Sequence, residues 1–238
     1  MTKTSTIEDK TKESRRLGAG PASSASIQSD TEPSRDCPLC PRLKDYRDTN
    51  RREYPHWFNA PVPAFGPDDA RLLIVGLAPG LQGANRTGRP FTGDYAGDLL
   101  FGTLIEFGFA RGPYEARPDD GLTLLDCRIG NAVRCVPPLN KPLPAEINTC
   151  RTFLHATLAE MKNLRAIVML GRVSHESTVK ALGLRAAQAP FAHGAQLQVG
   201  EVRLFDSYHC SRYNTNTGRL TSEMFRDVFA RVREYLAD

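Results

Sequence analysis

Residues 71–94 read RLLIVGLAPGLQGANRTGRPFTGD. The run Leu72-Leu73-Ile74-Val75 has the length and apolar character of a buried parallel strand. Gly76, Pro79, Gly80 and Gly83 then break it. A glycine-rich turn at the carboxyl end of a parallel strand lets backbone N–H groups approach a ligand with no Cβ in the way. Open α/β sheets bind their ligands at that end. The spacing is neither G-x-G-x-x-G nor G-x-x-x-x-G-K-[ST], which argues against a dinucleotide or a triphosphate.

Downstream, residues 95–109 place Leu99, Leu100, Thr103, Leu104 and Phe107 at helical spacing. Residues 122–126 and 129–133 read as two short strands, followed by a proline-rich loop over 136–144. In the helix predicted over 145–163, Ile147, Cys150, Leu154, Leu158 and Met161 share one face. Residues 165–170 form another buried strand, 172–182 a helix, 201–207 a last strand and 221–236 a last helix, while 191–199 is ambiguous. Strand and helix alternate from residue 71 onward, which implies an α/β fold with a mostly parallel sheet and helices on both faces. Upstream, residues 44–53 read as a polar segment, and 54–58 (YPHWF) as an aromatic strap over the sheet. Residues 1–34 lack apolar periodicity and carry five basic and five acidic side chains, the pattern of a disordered, passive tail. The domain reading is therefore a tail over 1–34 and one folded domain over 35–238.

The 238 residues are 40% hydrophobic and 24% charged, ordinary values for a soluble domain. No apolar stretch approaches a bilayer span, and the first residues lack a secretory signal, so the expected compartment is the cytoplasm, without membrane contact. A net charge of +4 permits nucleic-acid binding but argues for it only weakly.

Three constellations carry chemistry. The glycine loop, Asn131 and His209 each follow a predicted strand, so a parallel sheet brings all three to one edge. Phe91 in the loop is a stacking platform, and Asp94 beside it a carboxylate for a reacting centre. The second is Cys37-x-x-Cys40 with Cys135 and Cys150, four thiols of the kind taken by tetrahedral zinc or an iron–sulfur cluster; the residues leave the choice open. The third is the polar loop 211–219 with Asn85, Arg86, Arg89 and Arg172, suited to phosphate contacts.

The motifs GLAPGLQGANRTGRPFTGD, NAVRC and YHCSRYNTNTGRLT, in that order and with those four cysteines, resemble the family 5, or type B, uracil-DNA glycosylases from about residue 37 to the end. The resemblance implies a three-layer α/β/α sandwich with a four-stranded, mostly parallel central sheet. It implies a [4Fe–4S] cluster on Cys37, Cys40, Cys135 and Cys150. The implied activity is monofunctional hydrolysis of the N-glycosidic bond to uracil, and to other deaminated bases such as hypoxanthine, in DNA, by a nucleoid-associated monomer. Carried over, Phe91 stacks on the extruded base, Asn131 bonds its edge, His209 stabilises charge on the departing base, and Asp94 positions water or stabilises the sugar cation. Gly76, Ala78 and Gly80 line the pocket; Arg86, Arg172, Ser211, Arg212 and Tyr213 contact DNA, with Arg212 or Tyr213 as the wedge. Leu77 and Ala78 stand where sister families carry a polar residue, as in type B members, and Cys210 stands where the closing motif usually has Pro. The competing class is a metal-stabilised nucleic-acid-binding protein without catalysis.

Overall fold

The computed structural model describes residues 31–237; most of the tail expected over 1–34 lies outside the described residues. Strand β1 (Leu72–Gly76) is buried at every position. It pairs in parallel with β4 (Cys127–Asn131) on one side and β5 (Ala166–Leu170) on the other. Strand β7 (Val202–Ser207) continues the sheet in parallel next to β5, and β6 (Gln196–Val199) closes it in antiparallel fashion, in the order β4-β1-β5-β7-β6.

Alternating side chains of these strands supply two cores. Leu72, Ile74, Val168 and Phe205 meet Leu100, Phe101 and Leu104 of α3 (Tyr95–Glu106) and Phe225, Phe229 and Val232 of α7 (Ser222–Ala237). Leu73, Val75, Ile167 and Met169 meet Leu154 of α4 (Pro144–Glu160) and Val179 of α5 (Arg172–Ala181). The result is the expected α/β/α sandwich.

The sheet has five strands rather than the expected four. The extra strand, β6, is an edge strand that alternates exposed and half-buried residues and turns into β7 at Gly200, whose φ is +57°. An edge hairpin needs no continuous apolar run, which left residues 191–199 ambiguous. The strand expected over 122–126 shrinks to β3 (Thr123–Leu124), which pairs with β2 (Ala110–Arg111) outside the main sheet. Asp126, at φ +52°, turns the chain out of that ribbon into β4.

The polar segment 44–53 belongs to a helix, α1 (Pro41–Glu53), whose buried residues are Leu43, Arg47 and Asn50. Its inward face is largely polar, so a search for apolar periodicity passes over it. The aromatic residues 54–58 do not strap the sheet. Tyr54 and His56 are exposed, and Tyr54 and Trp57 stack on each other at 4.0 Å. The loop after β7 contains one short helix, α6 (Arg212–Asn216), capped by Ser211.

Candidate active site

Gly76 ends β1 directly opposite Asn131, the last residue of β4. A Cβ at Gly76 would lie 2.3 Å from the Asn131 Oδ1 and 2.6 Å from Cζ of Phe91. No larger residue fits, and the amide and the ring meet over that bare backbone. Phe91 itself sits at φ +55°, a costly conformation for a bulky residue, of order 1–3 kcal/mol. Its neighbours hold it there. Tyr114 Oη donates to the Phe91 carbonyl at 3.0 Å, and the Thr87 hydroxyl to that of Thr92 at 3.0 Å. Burial keeps the Tyr114 hydroxyl protonated, pushed up to about 12.

His209 follows β7, its ring 5.8 Å from that of Phe91 and inclined by 25°. The turn after β5 passes beside His209 at Gly171, whose φ is +95° and where an added Cβ would lie 3.4 Å from the His209 Cβ. Burial pulls the imidazole down to about 4, so it is neutral at physiological pH, and its Nδ1 is buried without a hydrogen-bond partner among the described residues. Asp94 caps α3, accepting from the Ala96 N–H at 3.2 Å through Oδ1. Its Oδ2 rests against Gly80 and Gly83, where added Cβ atoms would come within 3.1 and 2.4 Å. Burial raises the carboxyl above its ordinary range, opposed by the Ala96 and Gly97 N–H groups. Ala78, Gly80, Phe91, Asp94, Asn131 and His209 together line one slot of about 30 Å³. The Asn131 side chain makes no hydrogen bond with any described residue.

The slot adjoins a groove of about 680 Å³ that shares Ala78, Asp94 and His209 with it and is lined further by Arg172, Ser211 and Arg212. Arg86 and Tyr213 do not line this groove; Tyr213 projects, 71% exposed, from α6 beside it. The groove also takes Asn214 and Arg219, from the polar loop expected to meet phosphates, and Asn140, Phe191 and Tyr208, which the sequence did not mark. Arg219 covers the Tyr208 ring at 4.6 Å. Beside Asn140, Leu139 is 86% exposed and held at φ +55°. The signal available in the sequence was a large apolar residue set in a loop of prolines, Pro137, Pro138 and Pro142.

Two residues expected among the phosphate contacts have other work. Arg89 is buried, bidentate to Asp120 at 2.8 and 2.7 Å, bonded to the Thr92 hydroxyl at 2.7 Å and surrounded by Phe65, Phe101 and Tyr114. It anchors the Phe91 loop from behind. Asn85 is buried as well, its amide donating to the Asn59 side chain at 2.9 Å.

Cys37, Cys40, Cys135 and Cys150 all line one narrow pocket with Leu43, Val133 and Phe153, and none forms a disulfide. Cys40 precedes α1 and Cys150 lies on α4, so the pocket joins both helices to the chain leaving β4. The Arg134 N–H donates to Cys150 Sγ at 3.2 Å and Arg47 reaches Cys135 Sγ at 3.9 Å, contacts that favour thiolate. Burial, with a smaller contribution from the neighbouring cysteines, nonetheless pushes the Cys135 and Cys150 thiols up to about 12 and 11. Among the described residues no group of three or more His, Cys, Asp or Glu is placed to hold a single metal ion. Cys127 and Cys210 are buried elsewhere; Cys210 bonds the Ala96 carbonyl at 3.5 Å, tying the loop after β7 to α3.

A family model described as the uracil DNA glycosylase superfamily matches residues 63–233. The type-5 uracil-DNA glycosylase of Thermus thermophilus is 44% identical over 204 residues, covering 83% of this chain and 92% of its own. That of Pyrobaculum aerophilum is 41% identical over 201 residues, covering 83% and 88%. A type-4 uracil-DNA glycosylase from the latter organism is 31% identical over 180 residues, covering 74% and 78%.

Proposed function

The chain belongs to the uracil-DNA glycosylase superfamily, and within it to the type-5 family; from that premise we propose that it hydrolyses the N-glycosidic bond of uracil in DNA and leaves an abasic site, the first step of base-excision repair. One observation supports this reading most. An aromatic ring, an amide that no described residue bonds, a carboxylate and a neutral imidazole converge on one slot beside an Arg-bearing groove.

A base inside a duplex is out of reach and must flip, at a cost of a few kcal/mol in lost stacking. Arg172 and Arg212 in the groove meet phosphates, and Tyr213 or Leu139 fills the space the base vacates. The slot encloses about 30 Å³, room for roughly one water, so an entering base parts Phe91 from His209. The base then lies on the Phe91 ring with its edge against the Asn131 amide. Bond cleavage leaves positive character on the sugar and negative charge on the base. A carboxylate at Asp94 favours the first, as in glycosidases. A neutral His209 donating an N–H favours the second, at roughly 3 kcal/mol for a single donor. Leu77 and Ala78 impose little polar discrimination, so hypoxanthine and other deaminated bases are accepted with uracil. Turnover of uracil alone from a panel of such duplexes would refute that breadth.

The four cysteines hold a [4Fe–4S] cluster whose role is structural, joining α1, α4 and the segment after β4. Zinc would gather four sulfurs at about 2.3 Å around one point, whereas a cluster spreads its thiolates over separate irons. The pocket ringed by four thiols supplies the donor set that such a cluster takes. A brown preparation with visible absorption that a Cys150→Ala variant loses supports it; a colourless protein containing zinc refutes it. The same reading makes the protein a monomer that works on DNA at the nucleoid in the cytoplasm.

The test of activity is incubation with a duplex carrying one uracil, then alkali. Strand cleavage at the uracil, lost in Asp94→Asn and His209→Ala, supports the enzyme. Binding without cleavage by the unaltered protein would instead support a nucleic-acid-binding protein without catalysis.

A further inference from the structure

The short helix α2 (Ala84–Thr87) separates the slot from a second concavity. Ala84 lines the slot and Arg86 the other side; two residues apart on a helix lie about 200° apart around its axis. This open groove, about 460 Å³, is lined by His56, Trp57, Phe58, Arg86 and Arg117 among others and, among the described residues, by no carboxylate. Arg86 and His56 are exposed, and Arg117 is 57% exposed, its guanidinium paired at 2.6 Å with Glu115 and at 4.0 Å with Asp119, both of which stand outside the lining.

The aromatic turn is held in place by buried polar contacts. The Phe58 and Asn59 N–H groups donate to the Arg86 and Asn85 carbonyls, each at 3.0 Å. The buried Asn59 side chain, on a residue at φ +45°, donates to the Tyr54 carbonyl at 2.7 Å and accepts from Asn85 at 2.9 Å. Phe58 packs against Gly88, where a Cβ would lie 2.7 Å from its ring. Trp57 is braced by Tyr54 at 4.0 Å. These contacts fix rings at the surface that serve no core, beside two guanidinium groups. Flat rings with cations and no carboxylate in the lining fit unpaired bases on a phosphate backbone, since every base has a face to stack and every linkage a charge. A fully paired helix presents no base faces along its sides.

We propose that this groove is a second nucleic-acid site that binds single-stranded DNA, with a base on the Trp57 ring and phosphate at Arg86 and Arg117. The enzyme thus grips unpaired strand alongside the base it excises. The proposal extends the reading of the slot without depending on its catalytic residues.

Trp57 is the only tryptophan in the chain, so its emission reports the groove directly. The full-length protein is titrated with uracil-free oligothymidylate and, separately, with a blunt uracil-free duplex. Saturable quenching by the oligothymidylate that weakens with salt, and none by the duplex, is the expected result. Arg117→Glu should weaken oligothymidylate binding about tenfold or more, while excising uracil from a short blunt duplex at the unaltered rate. Unmoved emission in a preparation that excises uracil would overturn the proposal, as would equal quenching of the Arg117→Glu variant. If excision failed while quenching persisted, the catalytic reading would fall and this site would stand.

Discussion

Two buried polar groups lie on either side of the Phe91 loop and are treated in opposite ways. Behind it, both ends of the Arg89 guanidinium are matched to Asp120 and its Nε to Thr92. In front of it, Asn131 is 4% exposed yet its amide makes no hydrogen bond with any described residue, and the Nδ1 of His209 is buried without a partner among them. An unmet polar group in a folded interior costs about 1–3 kcal/mol. The paired set braces the Phe91 loop, whereas the open groups line the slot, where an arriving base can meet them.

The comparison breaks most readily on the paired side. Asp120→Asn leaves the Arg89 charge buried without its counterion, and the expected loss is about 3–5 kcal/mol, read as a lower urea midpoint. Arg89 holds the Asp120 carboxyl well below the usual carboxylate range. The pair's contribution is therefore complete above about pH 4, the ordinary carboxylate pKa, and is lost as pH falls through the depressed value. A midpoint of the variant equal to that of the parent would show that the pair contributes nothing.

On the open side the expected effect is on rate. His209→Ala should lower single-turnover excision about 10²–10³-fold, as loss of one preorganised donor does. Because burial holds His209 down to about 4 and raises Asp94 above its ordinary range, the rate should be flat through pH 6.5 and fall only in more acid buffer. An inflection at pH 6.5 in kcat/KM would place an ordinary, solvated histidine in the slot. For stability the sign is the same: below about pH 6.5 the unfolded chain binds a proton that folded His209 refuses, so stability declines as pH drops toward 4. Replacing His209 by Asn should flatten that slope. The smallest effect is at the rim: Leu139→Ala should leave stability within about 0.5 kcal/mol and slow excision severalfold from duplex but not from single-stranded substrate. Equal slowing on both would remove Leu139 as a wedge.

How much of this was readable in advance depended on what carried the signal. The apolar runs of β1 and β5 and the stripe of α7 are statements of periodicity, and they gave the sandwich. The glycine turn, Asn131 and His209 were legible because each follows a strand and parallel strands share an edge. Helix α1 was not, since two of its three buried residues, Arg47 and Asn50, are polar and leave no apolar stripe. Edge strand β6 was hidden by its half-exposed pattern. Arg89 was misplaced among the phosphate contacts because its partner, Asp120, lies far along the chain in a loop with no periodicity, and a buried arginine looks in sequence like an exposed one. The aromatic turn at 54–58 was read as a strap because aromatic content alone does not distinguish a ring that covers a core from one held at the surface.

Asn131→Ala offers the most direct test of the contrast, because the residue is buried and its side-chain amide makes no hydrogen bond with any described residue. Its urea midpoint and its single-turnover rate on a uracil-containing duplex should be measured on one preparation. A midpoint equal to or above that of the parent, with excision reduced about tenfold or more, is the predicted outcome. Excision at the parental rate with a lowered midpoint would mean that the amide serves the fold, and that the slot is not where a base is held.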